Sequence, residues 1–158
     1  MTVCSWITIP LPFTPIPINL GTFATFMAGG LLGKRYGAYS IISYVLLGAI
    51  GLPVFAGFGA GLGTLAGPTG GFIIGFILCA FISGFAATRP PRAFRILLCL
   101  TLGLIACYAC GIVWFMISTG ASLKASLLSC VVTFLFGDAL KILLAFILLK
   151  KNVFSVII

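Results

Sequence analysis

The sequence predicts an all-α membrane protein, a polytopic helical bundle, and three observations lead there. Hydrophobic residues fill 62 % of the 158 positions. Only nine basic and one acidic side chain are present, where a soluble domain would carry roughly 25 % charged residues. The apolar residues also fall into long runs broken only at Gly, Pro and basic positions. A surface facing water needs several times more charge, whereas one facing hydrocarbon needs almost none. The same composition removes most enzyme chemistry. With no His and a single carboxylate, paired-carboxylate hydrolysis, a Ser-His-Asp triad and His-rich metal sites all lack their parts. The chain is therefore not expected to be an enzyme or to hold a cofactor or metal. Its net charge of +8 does not point to nucleic acid, because the basic residues punctuate apolar runs instead of clustering on a wettable face.

A single integral membrane domain is expected over residues 1–158, with spans at about 20–32, 38–52, 70–87, 94–118 and 123–149. A helix needs about 20 residues to cross a 30 Å hydrocarbon core, so the last two runs span comfortably and the first two are short. Short spans require cover from neighbours. The pairs Ala24/Ala28, Gly29/Gly33 and Gly71/Gly75 have the small-xxx-small spacing that lets helices approach closely. Residues 1–19 and 53–69 read as outer loops. Within the first, Ile9–Asn19 carries Pro10, Pro12, Pro15 and Pro17, which forbid a helix and favour extended or polyproline backbone. The second, taken with its flanks as Leu52–Gly71, has seven glycines between Gly57 and Gly71, a composition that permits unusual backbone angles and close approach to a ligand.

The basic residues set an orientation. Lys34 and Arg35, then Arg89, Arg92 and Arg95, then Lys150 and Lys151 all belong to one side, and short cytoplasmic loops collect such residues. The C-terminus is then cytoplasmic and Lys124 alone lies outside. Five spans ending inside demand an external N-terminus, but Met1–Ile9 is too short to cross and has no basic n-region. The expected intact architecture is six helices, with the first missing or truncated here.

One constellation carries chemistry. Asp138, the only acid, stands three residues before Lys141 in FGDALK, so the two project from one helix face. Twelve residues separate Asp138 from Lys150, about 18 Å of helix, which puts the pair near the midplane. Ionisable groups at that depth cost roughly 2.5–3.5 kcal/mol and usually mark a substrate or ion pathway. The alternative is a self-neutralising structural pair. A carboxylate without proton-relay partners suits N–H donors, and the ammonium suits a carbonyl or carboxylate. A small molecule with a polar head and an apolar body is the expected guest, in a pocket walled by Phe, Tyr (Tyr44 among them), Gly and Thr. The helix start at Thr69 and Gly70 offers amides for an anionic group. Cys4, Cys79, Cys99, Cys107, Cys110 and Cys130 are scattered and read as apolar fillers, and Trp6 and Trp114 as interfacial anchors.

The string PLPFTPIPINLGTFATFMAGGLLGKRYGA, followed in order by LLGAIGLPVFAGF, LAGPTGG and GDALK, resembles BioY, the biotin-specific substrate-binding subunit family of energy-coupling-factor (ECF) transporters. The resemblance runs over nearly the whole chain. It implies a six-helix membrane subunit that captures biotin from outside and works with a transmembrane coupling subunit and two cytoplasmic ATPases, which use the ATP. It also implies that Asp138 and Lys141 bind substrate and that Phe55 matches the aromatic of GLPVFAG. The family's usual PITLQTF stands here as Pro17-Ile18-Asn19-Leu20-Gly21-Thr22-Phe23, with Gly for Gln, and Asn19 is the candidate substitute. Two other readings stay open: uptake of a different small vitamin, or a noncatalytic membrane scaffold with a structural Asp/Lys pair.

Overall fold

A computed structural model of the chain describes residues 1–12, 14–87 and 92–151. The N-terminal segment is not the bare loop expected. It holds a short helix, α1 (Thr2–Trp6), and two antiparallel strands, β1 (Thr8–Leu11) and β2 (Thr14–Asn19). Thr8 pairs with Asn19, Ile9 with Ile18 and Leu11 with Thr14, and the ladder slips between Ile9 and Leu11. Pro10 sits at that slip. A two-stranded ribbon tolerates prolines because each strand has an open edge and a slipped register asks for fewer N–H donors. The extended backbone was legible, but its pairing was not.

The first two apolar runs form one element, α2 (Gly21–Ala49), broken at Gly33. Gly33 has φ 79° and ψ 173°, a conformation open essentially only to glycine. The turn there is sharp enough for Gly37 to lie against the backbone of Ala28 and Gly29. The expected connector between 32 and 38 is thereby reduced to one residue. The Gly29/Gly33 pair is split in consequence: Gly29 packs on the backbone of Ala80, whereas Gly33 has nothing within 4 Å of where a Cβ would stand.

Residues 53–69 also differ from a plain loop, since they contain a 3-10 turn at Ala56–Phe58 and a helix, α3 (Gly61–Ala66). Next come α4 (Gly70–Ser83), ending in a 3-10 turn to Ala86, and α5 (Ala93–Thr119). The last run is continuous helix from Leu123 to Lys150, composed of α6 (Leu123–Leu127), a π-turn at Leu128–Val132 and α7 (Thr133–Lys150). Helix α4 lies between α2 and α5. Gly71 and Gly75 make its contact with α5 close, each facing a carbonyl of that helix, Cys110 O and Cys107 O.

Two of these helices, Ala93–Thr119 and Leu123–Lys150, are long and apolar enough to cross a membrane; Gly70–Ala86 is shorter and apolar. The distribution of side chains agrees with hydrocarbon surroundings. Phe136 is 87 % exposed and Leu135, Leu140, Leu143 and Leu144 stand out beside it on α7, while Asp138 and Lys141 of the same helix are buried. In water that arrangement would be inverted. Cys79, Cys99, Cys107 and Cys130 are packed in the apolar core.

The basic residues gather at one end. Gly30 touches Leu149, Gly84 meets the backbone of Lys34, the Lys34 ammonium lies 4.7 Å from the Phe85 ring, and Arg95 Nε donates to Phe85 O at 2.8 Å. The break in α2, the end of α4, the start of α5 and the end of α7 therefore share one level. Lys124 follows the 27 residues of α5, about 40 Å of helix away. Arg89 lies outside the described residues.

Candidate functional site

Helix α7 brings Asp138 and Lys141 inward on one face, and their ion pair closes at 2.7 Å. Both are more than nine-tenths buried, so neither is satisfied by bulk water, and buried polar groups require partners. These come from two other helices. Thr22, in the first turn of α2, donates its hydroxyl to Asp138 Oδ1 at 3.0 Å and accepts from Lys141 Nζ at 3.0 Å. Tyr108, midway along α5, donates its phenol to Asp138 Oδ2 at 2.5 Å. An ammonium has three donors and a carboxylate about four acceptor sites. Lys141 uses two, on Asp138 and Thr22, and Asp138 uses three, on Thr22, Lys141 and Tyr108. Among the described residues, one donor and one acceptor remain.

The pair opens on a hollow. A small chamber of about 50 Å³ touches Thr22, Tyr108, Phe134, Asp138 and Lys141. It shares Ile16, Pro17, Asn19, Phe72 and Phe76 with a larger chamber of about 370 Å³, within the range of small-molecule sites. The larger chamber is bounded by Ser5, Tyr44, Phe55, Thr64 and Thr69, that is, by α1, α2 and the segment expected to be an outer loop.

Six of the seven residues expected at a site therefore line this hollow: Asp138, Lys141, Asn19, Tyr44, Phe55 and Thr69. Each is positioned by a definite contact. The Phe55 ring is buried against Gly48 and meets Tyr44 edge-on, with centroids 5.5 Å apart. Tyr44 OH and Ser5 Oγ are hydrogen-bonded at 2.9 Å. Asn19 Oδ1 accepts the N–H of Gly21 at 2.8 Å, satisfying one of the unpaired donors at the start of α2. A side chain at Gly21 would start 2.9 Å from that oxygen, so Gly21 is what lets Asn19 adopt this pose.

Gly70 is the exception. It is not brought to the hollow: its N–H donates to Gly67 O at 3.0 Å, and it packs on Leu65 and Trp114. The anion-receiving amide expected there is occupied by the turn that precedes α4. Conversely, sequence reasoning missed Thr22 and Tyr108. The available signal was Tyr108 itself, since a phenol inside a 27-residue apolar helix needs a hydrogen-bond partner. The tryptophans tie down the segment above the chamber: Trp6 Nε1 donates to Pro53 O at 2.8 Å and Trp114 Nε1 to Gly67 O at 3.0 Å.

The BioY family model matches residues 1–156. Among curated relatives, the chain is 45 % identical to the biotin transporter BioY of Thermotoga maritima over 112 residues, covering 71 % of this chain and 65 % of that protein. It is 34 % identical to the biotin transporter BioY of Lactococcus lactis over 149 residues, covering 90 % of this chain and 78 % of the relative. The chain thus spans about two thirds of the first relative's length and more of the second's. Its fold superposes with a TM-score of 0.87 and 32 % identity on the crystal structure, at 2.1 Å, of the S-component for biotin from an ECF-type ABC transporter, over 95 % of this chain and 82 % of that one. Together with the apolar exterior, these matches make the chain a multi-pass membrane protein, and it belongs to the BioY family.

Proposed function

We propose that this chain is the substrate-binding membrane subunit of a biotin uptake system, and that biotin's ureido ring binds at Asp138 and Lys141. The observation that carries the reading is the spare capacity of the buried pair: one acceptor site on the carboxylate and one donor on the ammonium, opening on an otherwise largely apolar hollow. A ureido ring offers N–H donors and one carbonyl in a single plane, the complement of that set. Its sulfur ring and aliphatic tail suit walls of Phe72, Phe76 and Phe55. Asn19, Tyr44 and Thr69 supply polar contacts in the larger chamber.

In this reading biotin enters from the outer face, the basic end and the C-terminus are cytoplasmic, and a transmembrane coupling subunit with two cytoplasmic ATPases drives release inward. The subunit itself hydrolyses nothing and needs no cofactor. The test is retention of radiolabelled biotin by the purified protein, with other vitamins as competitors. Asp138→Asn and Lys141→Ala are expected to abolish retention while membrane insertion is preserved. Unchanged binding in both variants refutes the assignment.

A further inference from the structure

The rim at the basic end has no acidic side chain among the described residues. The chain contains one acidic side chain, Asp138, and it is held in the interior by Lys141. No acidic side chain is therefore left for Lys34, Arg35, Arg92, Arg95, Lys150 and Lys151, which all stand exposed. Two of these cations are drawn together by a built contact. Lys34 lies over the ring of Phe85, and Arg95 donates Nε–H to the carbonyl of the same residue. This fixes two positive charges on one 3-10 turn, against their mutual repulsion. Arg95 spends its Nε–H there, and its guanidinium also hydrogen-bonds the Cys99 thiol; a guanidinium has five donors, more than these two partners take among the described residues.

The surroundings indicate the chemistry of the missing anion. Phe85 itself is partly exposed, Phe94 is 79 % exposed next to Arg95, and Tyr36 and Tyr39 stand out beside Lys34 and Arg35. Beyond Arg95, α5 carries no further charged residue and is predominantly apolar. A soluble anion or an acidic peptide would answer the charge and leave the aromatic surface uncovered. A molecule with an anionic phosphate head and apolar chains answers both, at the level where a spanning helix enters hydrocarbon.

We propose that Lys34 and Arg95, gathered on Phe85, clamp the phosphate of an anionic phospholipid at this end of the bundle. The experiment is lipid counting by native mass spectrometry on purified full-length chain in detergent, offered phosphatidylglycerol or phosphatidylcholine with matched acyl chains. Wild type is expected to retain phosphatidylglycerol preferentially. Lys34→Gln combined with Arg95→Gln should weaken that retention about thirtyfold, the effect of removing two cations from beside an anionic surface. Lys124→Gln, at the opposite end, should leave it unchanged. Both positions are exposed, and Phe85→Leu, which keeps every charge but removes the ring under Lys34, should reduce retention in a chain whose elution profile is unaltered. Inorganic phosphate should not displace the lipid. Equal retention of the two lipids, an equal loss in Lys124→Gln, or displacement by phosphate overturns the proposal; in the first case the rim answers to an acidic protein surface instead.

Discussion

Replacing Lys141 by Met leaves the Asp138 carboxylate in the interior with only Thr22 and Tyr108 as partners. Breaking a buried ion pair on one side costs about 3–5 kcal/mol, because the surviving charge stays desolvated. Removing Asp138 as well does not by itself restore the balance, since the phenol of Tyr108 then loses its acceptor, at about 1–3 kcal/mol. The clean comparison is the triple variant Asp138→Leu, Lys141→Met, Tyr108→Phe, in which the ion pair and the phenol become apolar together and the Thr22 hydroxyl faces the chamber it lines. Replacement of buried ion pairs by packed apolar groups is often neutral or stabilising by about 1–4 kcal/mol. The triple variant is therefore expected to be at least as stable as wild type, and the Lys141→Met single variant about 3–5 kcal/mol less so. Unfolding in mixed detergent micelles, followed by tryptophan fluorescence, reads both. Retention of labelled biotin should be absent in the triple variant despite its stability. A triple variant as unstable as Lys141→Met would mean that the network holds the fold together, and one that still retained biotin would place the guest elsewhere; either result refutes the reasoning.

Three further outcomes are expected. Tyr108→Phe removes a hydrogen bond to a charged acceptor, about 1.5–3 kcal/mol, and should weaken biotin retention by tenfold or more in equilibrium dialysis while the Asp138–Lys141 pair persists. Trp6→Phe keeps the ring contact with Phe58 but loses the bond to Pro53 O; hydrogen exchange across residues 54–60 should accelerate, by an amount corresponding to about 0.5–1.5 kcal/mol. Gly29→Ala places a methyl group against the backbone of Ala80, which cannot yield as a side chain would, so the α2–α4 contact should open and stability fall by about 1–3 kcal/mol, measured by thermal unfolding.

What the sequence disclosed follows from how anomalies show themselves. Helix α5 was legible to within a residue at each end because a run of that length and apolarity has no other home. Asp138 and Lys141 were legible because an acid and a base in the middle of such a run are costly. Thr22 was not, although it completes the network, because a hydroxyl in a first turn has many uses and its partners lie 116 and 119 positions away. A break between the runs 20–32 and 38–52 was legible, but not that Gly33 alone makes it: among 20 glycines, nothing in composition marks the one that turns the chain. The β1–β2 ribbon and α3 were missed because proline and glycine argue against regular structure locally, while the pairing of Ile9 with Ile18 and the packing over the chamber are supplied by the rest of the fold. Gly70 was misplaced because a helix start offers free amides only until a preceding turn takes them.

The hydroxyl of Thr22 fastens the beginning of the bundle to its end by holding acid and base at once. Any guest that engages those two groups must bargain with that clasp. Occupancy of the interior and the tightness of the seam between α2 and α7 are then one variable, so a molecule that reaches only the acid or only the base would disturb the clasp without replacing it. Discrimination among visitors would in that way be built into a fastening of the scaffold.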